Sequence, residues 1–208
     1  MPEQLKKSEI DMDPTVAKQY DDETPTQQKF DDFAAMADGL KIGLMGTVRD
    51  GIGPVARSMA VAKRTGPDFL FLANANSQKF NDLEKSSIAN VYFQNSSNQD
   101  WISVTGEAVT ASNDDPRIKE VHTKSVKAWF GDLGDGVHNA EPEDPRMKLI
   151  EVKAKYINYW KHEVGSAGFM KEVGGAVMTG GVANTGTLRK LDGKELEEMR
   201  SKHGAMSS

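Results

Sequence analysis

The sequence predicts a mostly β fold, a β-barrel with peripheral helices, from three observations. Six segments have strand character, and most of them are joined by tight turns. Helical spacing of apolar residues occurs only intermittently between them. No fixed-period repeat runs through the 208 residues. Strands that follow one another through turns favour a closed antiparallel barrel over an alternating parallel sheet, so we expect six antiparallel strands.

The strands are recognised by alternation and by the turns between them. Asp50-Gly51 is a strong hairpin signal that folds the second strand back on the first. Gly106 stands inside the fifth strand, where a β-bulge or a sharp bend is expected. Ile150 and Val152 alternate with charged residues in the sixth, which is typical of a strand with one solvated side. The predicted strands cover residues 40–48, 55–63, 69–73, 89–93, 101–111 and 147–161.

Four helices are expected around these strands. Phe30, Phe33 and Ala37 recur at helical spacing, and Gly39 can end that first helix. A short helix follows the third strand behind a possible Ser77 cap. The predicted helices cover residues 26–39, 77–85, 114–130 and 192–203.

The composition divides the chain into three parts. Residues 1–24 are polar and rich in Asp, Lys and Gln, a composition that buries too little surface to order, so we expect a mobile arm. Residues 25–162 hold the predicted barrel. Residues 163–208 are glycine-rich and end in a charged helix candidate, which predicts an extension that wraps the barrel or stays loose.

Charge and composition exclude several classes of function. The net charge of −5 predicts an acidic surface that disfavours nucleic acid and membranes as partners. The chain has no cysteine, and its four histidines lack metal-ligand spacing, so we expect no metal. No segment has the apolar core of a signal peptide or the length of a membrane span, which predicts a cytoplasmic location.

A candidate anion site lies between Leu70 and Lys79. Here a buried strand leads into a helix start, where backbone amides, the Ser77 hydroxyl and the Lys79 ammonium can converge on a phosphate. On spacing alone, a polar loop with an ordinary cap explains this segment equally well. Arg57 adds to the case because it stands among small and apolar residues, where a guanidinium needs an anion or solvent.

Other patterns give little support for catalysis by side chains. The glycines at 174–181 follow no strand and lack the spacing of a phosphate loop. No G-x-S-x-G elbow is present, and the carboxylate clusters lie in expected tails and loops. Trp101, Trp129 and Trp160 are candidates for the core, although a flat cofactor ring needs such neighbours too. The catalytic residues, if the protein is an enzyme, therefore stay unassigned.

Five pieces of sequence, taken together in their order, resemble a known family. They are Arg57-Ser58-Met59, Phe71 with Asn74 to Lys79, Trp101 to Gly106, Ala128-Trp129-Phe130 before Asp144-Pro145, and Asn158-Tyr159-Trp160. This pattern resembles the pyridoxamine 5′-phosphate oxidase-like split barrels that bind flavin mononucleotide (FMN). The likeness is strongest to the general stress protein branch and to fungal blue-light-inducible relatives, and it covers about residues 30–160.

The resemblance implies FMN as the cofactor and assigns residues to it. The residues implied to bind the phosphate are Arg57, Ser77 and Lys79. The residues implied to border the flavin are Ser58, Met59, Leu72 and Trp101. Asn74, in the matched segment, is also implied to bind the cofactor. Family members bind FMN at a two-fold interface, so the resemblance implies a homodimer. Trp129 would reach the flavin across that interface or else belong to the core.

The departures from the family pattern bear on activity. Ala62 stands where the oxidases carry a further basic residue, and Lys161-His162-Glu163 replaces their substrate-binding stretch, which argues against oxidation of vitamin B6. The resemblance thus implies an FMN-dependent oxidoreductase with an unassigned electron donor and acceptor, related to stress or light. Two alternatives stay open. One is a non-enzymatic module that stores, carries or senses FMN. The other is a split barrel that binds another ligand, such as haem or a deazaflavin, or that serves only as a dimeric interaction domain.

Overall fold

The computed structural model describes residues 19–21 and 23–205. Within this part of the chain, eight strands form one antiparallel sheet. They are β1 (Ile42–Arg49), β2 (Gly53–Ala60), β3 (Lys63–Thr65), β4 (Asp68–Asn74), β5 (Ile88–Gln94), β6 (Trp101–Ala111), β7 (Met147–His162) and β8 (Gly186–Asp192). Their order is β2-β1-β5-β6-β7-β4-β3, and β8 pairs with β7.

Six helices lie around the sheet in the described residues. They are α1 (Thr26–Leu40), α2 (Gln78–Lys85), α3 (Arg117–Val121), α4 (Lys124–Phe130), α5 (Ser166–Thr179) and α6 (Gly193–His203). The prediction of a mostly β fold with peripheral helices is therefore confirmed. None of the described helices is long and apolar enough to cross a membrane.

The two ends of the sheet meet at a short connection. Strands β2 and β3 lie at opposite ends of the strand order, yet only Val61 and Ala62 separate them. The Val61 amide donates to Lys41 and the Ala62 amide donates to Leu70, so the chain passes from one end of the sheet to the other within two residues. No ladder joins β2 to β3 in the described residues, and the sheet stays open there.

This arrangement corrects the prediction of six strands in a closed barrel. The strand predicted at 55–63 is interrupted after Ala60, because the chain changes partner from β1 to β4 at this point. Strand β8 lies in the glycine-rich extension, where no strand was predicted. It pairs with the second half of β7, from Tyr156 to His162, whereas β4 pairs with the first half.

The core consists of two apolar clusters on opposite faces of β4. Alternate residues of a strand point to opposite faces. Phe69 and Phe71 therefore enter the main cluster beneath α1, and Leu70 enters the second one, which α3 covers with Ile118. Full burial of each such side chain contributes about 1.5–3 kcal/mol. The expected bulge is confirmed at Gly106, where the β6–β7 register shifts and a side chain would collide with a backbone carbonyl.

Several boundaries differ from the predictions. Helix α1 continues through Gly39 and ends at Leu40, because Lys41 adopts the left-handed conformation with φ of 57°. The helix predicted at 114–130 is two helices, since His122 and Thr123 take extended backbone between α3 and α4. Helix α5 was not predicted, and the charged helix near the end is α6.

The terminal segments also contact the sheet. Tyr20 forms a bridge with Leu188 of β8, and the Asp21 amide donates to the same residue. Arg200 of α6 donates to both oxygens of the buried Asp68. Most of the arm predicted at residues 1–24 lies outside the described residues. The division of the chain into arm, barrel and extension stays a prediction.

Candidate anion-binding site

Arg57 projects from the edge strand β2 towards helix α2. It lies opposite Met45 in the β1–β2 register and is half-buried. Its Nη1 donates to Thr47 Oγ1 at 2.7 Å and to the Met45 carbonyl at 3.4 Å. Its Nη2 donates to Asp82 Oδ2 at 3.2 Å. The structure therefore holds the guanidinium between β1 and α2.

Asp82 is the centre of these contacts, and its side chain is only 2% exposed. Arg49 donates to both of its oxygens, at 3.0 and 3.2 Å, and Thr47 Oγ1 donates at 2.8 Å. The pKa of Asp82 lies below its usual value, chiefly because Arg49 donates to the carboxylate. We call Thr47, Arg49, Arg57 and Asp82 the Asp82 cluster.

Lys79 brings a further cation to this place from the first turn of α2. Its Nζ donates to Ser77 Oγ at 2.7 Å, and no carboxylate of a described residue lies within 4.0 Å of it. The pKa of Lys79 is lowered, first because burial disfavours the ammonium and second because Arg57 repels it. Two cations therefore lie close together, and only Arg57 has a carboxylate partner.

The Ser77 side chain does not cap α2 as predicted. Its hydroxyl donates back to the Asn74 carbonyl at 2.7 Å, and no side-chain cap bond forms. Helix starts leave several backbone N–H groups without intrahelical partners. The amides of Gln78 and Lys79 have no backbone acceptor among the described residues. With the nearby cations, these amides form a place suited to an anion.

A groove on the other face of the sheet contains further predicted residues. Ser58 follows Arg57 in β2 and therefore points to the opposite face. It lines an open cavity of about 470 Å³ with Leu44, Tyr92 and Trp101, which we call the outer-face cavity. Leu44 is 50% exposed and Tyr92 42% exposed, so this surface of β1 and β5 is apolar and uncovered in the single chain.

The remaining predicted residues lie in several different parts of the fold. Met59 packs against the main core, and Leu72 packs against the second apolar cluster. Asn74 ends β4, and its side chain accepts from the Asn76 amide at 3.0 Å. Trp129 on α4 is 88% exposed, so the interpretation of Trp129 as a core residue is wrong. One chain thus brings together Arg57, Ser77 and Lys79, with Asn74 beside them.

The sequence analysis missed Thr47, Arg49 and Asp82. One signal could have suggested Asp82, since it follows Lys79 by three residues and so lies on the same face of α2, beside the buried Phe80 and Leu83. A carboxylate on a buried helix face needs cationic partners. Their identity depends on residues more than 20 positions away, which spacing does not reveal.

An open antiparallel sheet with helices over its faces and a cationic site at its edge strand defines a class of split-barrel proteins. Residues 28–184 match the family described as pyridoxamine 5′-phosphate oxidase like. Protein bli-3 of Neurospora crassa is 36% identical over 194 residues, which cover 92% of each chain. The chain therefore belongs to the pyridoxamine 5′-phosphate oxidase-like family.

Solved structures agree with this fold. A general stress protein 26 from Jannaschia sp. CCS1 superposes with a TM-score of 0.57 at 19% identity, covering 78% of this chain and 99% of its own. A pyridoxamine 5′-phosphate oxidase-related, FMN-binding protein from Nostoc punctiforme gives a TM-score of 0.51 at 10% identity, with 82% and 98% covered. At these identities the likeness concerns the fold.

Proposed function

We propose that this protein is an FMN-binding flavoprotein that holds the cofactor's phosphate between Arg57, Ser77 and Lys79. The observation that carries the proposal is the half-buried Lys79 ammonium at the start of α2, which has no carboxylate partner among the described residues. The same helix holds Arg57 through Asp82. Burial and the repulsion from Arg57 both disfavour the charged form of Lys79. A bound anion between the two cations would offset this cost. The FMN-binding neighbour from Nostoc punctiforme supports the same ligand.

The charges of the site fit a phosphate monoester. Arg49, Arg57 and Lys79 supply three positive charges, and Asp82 supplies one negative charge. The net charge of two positive units matches a monophosphate, which carries about −1.5 to −2 at pH 7. The two free amides of α2 add neutral donors to the same place, and the Ser77 hydroxyl adds a third when it turns from the Asn74 carbonyl to the ligand. Riboflavin, which has no phosphate, leaves Lys79 and the two α2 amides without an anionic partner.

The ring of the flavin would lie along β2, and a second copy of the chain would complete its binding site. As an edge strand, β2 leaves its outer side open to a ligand held by Arg57, so the backbone of Ser58 and Met59 is accessible. Trp101 lies three strands further, about 14 Å away at the usual strand spacing. A homodimer in which one outer-face cavity covers the flavin of the other chain would bring Trp101 to the ring.

Bound FMN supplies hydride and electron transfer through its own ring. Asp82 is fully engaged with its three donors, so this carboxylate serves to hold the site together. We accordingly propose a cytoplasmic oxidoreductase whose residues bind and orient the cofactor, with a role in stress or light responses. The second candidate is a non-enzymatic module that stores, carries or senses FMN. It is favoured by the same observation, because an Asp82 carboxylate with all its hydrogen bonds made is not available as an acid or a base.

The first experiment is an absorption spectrum of the purified full chain, followed by titration with FMN and with riboflavin. A flavin spectrum and binding of FMN at least about tenfold tighter than riboflavin are expected, because a charge-assisted phosphate contact contributes about 1.5–3 kcal/mol. Equal binding of the two flavins would refute the phosphate site. A haem or deazaflavin spectrum would assign the fold to another ligand.

A second experiment separates the two candidate functions. The FMN-loaded protein is mixed anaerobically with NADH or NADPH, and bleaching of the flavin absorbance is followed, with free FMN at equal concentration as the control. Rapid bleaching and repeated turnover with an added acceptor support the oxidoreductase. Bleaching no faster than that of free FMN supports the storage, carrier or sensor module.

A further inference from the structure

We propose that Asp82, together with Thr47, is a positioning residue of the anion site, which holds the Arg57 guanidinium so that its remaining donors face the bound phosphate. This inference rests on the proposed function, because it takes the FMN phosphate as the ligand. It assigns a role to a buried carboxylate that would otherwise weaken an anion site by its charge.

The contacts of Arg57 fix its guanidinium from the protein side. A guanidinium has five N–H donors in a planar fork. Thr47 Oγ1 and the Met45 carbonyl accept from Nη1, and Asp82 Oδ2 accepts from Nη2. The described residues provide no acceptor for Nε, so this donor and one N–H of Nη2 stay available to a ligand. Planar donors held in this way recognise a phosphate with little further loss of freedom.

Asp82 is itself held in one orientation. Arg49 donates to Oδ1 from Nε at 3.0 Å and to Oδ2 from Nη2 at 3.2 Å. Thr47 donates to Oδ2 at 2.8 Å, and the side chain is 2% exposed. A carboxylate with both oxygens engaged in a buried site has little freedom to rotate. The position of Arg57 is thus set through Asp82 by both α2 and β1.

Helix α2 carries both the positioning carboxylate and the second cation. Lys79 precedes Asp82 by three residues, so the two lie on neighbouring turns of one helix face. Because Arg57 is tied to Asp82, the helix also sets the distance between the Arg57 and Lys79 cations. The contact with Asp82 keeps Arg57 near Lys79 in spite of their repulsion, which contributes to the lowered pKa of Lys79. An anion bound between the two cations would relieve this repulsion.

The charge and the positioning role of Asp82 predict opposite effects on FMN binding. Replacing Asp82 by Asn makes the site more positive by one charge. If the carboxylate acted through charge alone, the variant would bind phosphate more tightly. If Asp82 positions Arg57, the variant loses the fixed orientation and binds FMN more weakly. The direction of the change therefore decides between the two.

The test compares Asp82→Asn with the matched control Glu84→Gln, which removes one negative charge from an exposed position of the same helix. Dissociation constants for FMN and for riboflavin are measured by flavin fluorescence, after circular dichroism has shown that each variant is folded. For Asp82→Asn we expect FMN affinity to fall about tenfold or more and riboflavin affinity to stay within about twofold. Unchanged or tighter FMN binding by the folded variant overturns the proposal.

Thr47 provides a second, milder test if Asp82→Asn does not fold. Thr47→Val removes the hydroxyl that links Arg57 to Asp82, and Thr47→Ser retains it. We expect Thr47→Val to weaken FMN binding about three- to tenfold without affecting riboflavin, and Thr47→Ser to restore it. If Thr47→Val binds FMN as tightly as the wild type does, the positioning role is contradicted and the proposed function is not. Absence of any preference for FMN over riboflavin in the wild type contradicts the proposed function as well.

Discussion

Lys79→Met is expected to weaken cofactor binding and to stabilise the protein without cofactor. The ammonium is half-buried, and its pKa is lowered by burial and by Arg57. Its hydrogen-bond acceptor in the described part of the chain is the Ser77 hydroxyl. Methionine keeps the length and the apolar stem of the side chain and removes the charge. The two effects have opposite signs because the Lys79 cation stabilises the complex with FMN and destabilises the cofactor-free protein.

The magnitudes follow from the contacts. Loss of one charge-assisted phosphate contact costs about 1.5–3 kcal/mol, which is a decrease of about 10- to 150-fold in FMN affinity. Relief of the Lys79 desolvation and of its repulsion from Arg57 is smaller, on the order of 0.5 kcal/mol for a partly exposed group. For a domain of this size it raises the Tm by about 1–2 °C.

The pH dependence of stability gives a further readout. The lowered pKa means that the folded, cofactor-free protein binds fewer protons at Lys79 than the unfolded chain does, over the pH range just below the ordinary lysine value of 10.5. Stability without cofactor therefore rises with pH across that range, as the cost of the buried charge is relieved. Lys79→Met removes this contribution to the rise.

The assay combines fluorescence titration with FMN and riboflavin and thermal unfolding from about pH 8 to pH 10.5. Lys85→Met is the control, since its ammonium is exposed on the same helix and contacts only a surface carboxylate. Riboflavin affinity is expected to be the same in all three proteins. FMN affinity of Lys79→Met within a factor of two of the wild type would refute the placement of the phosphate.

Three further predictions concern the fold and the assembly. Tyr159→Phe removes the buried bond from the hydroxyl to the Lys29 carbonyl, at 2.8 Å, and should cost about 1–2 kcal/mol in urea unfolding. Asp144→Asn breaks a buried pair with Arg146 and should cost about 3–5 kcal/mol. Because the pKa of Asp144 is lowered from 3.8 to about 2, wild-type stability should decrease as the pH falls through that window, and the variant's should decrease less steeply. Leu44→Glu on the outer face should yield a folded monomer in light scattering, if the homodimer forms there; a dimer would place the interface elsewhere.

Much of the fold was predictable because local signals and tertiary structure agree. The apolar run from Phe69 to Ala73 followed by a polar helix start correctly located β4 and α2. Gly106 marked the bulge, because the backbone of β7 approaches closely there and excludes a side chain. Both signals are contained within a few residues, so the sequence alone is sufficient to read them.

Other features depend on partners that are distant in the sequence. Strand β8 has basic residues, Arg189 and Lys190, in a glycine-rich region, and it becomes a strand because β7 offers a free edge beside it. Asp82 in a polar helix resembles a solvated carboxylate until Arg49 and Arg57 are brought to it by β1 and β2. The exposure of Trp129 depends in the same way on how α4 lies on the sheet.

Strands β4 and β8 share one edge of β7, so removing the C-terminal extension would uncover half of that edge. A protein ending at His162 would retain β4 along the first half of β7 and lose β8 along Tyr156–His162. Seven residues of unpaired backbone in a strand of apolar and aromatic character would then form a template for intermolecular strand addition. The extension, which contributes no residue to the candidate anion site, is thus expected to protect this edge of β7 from aggregation.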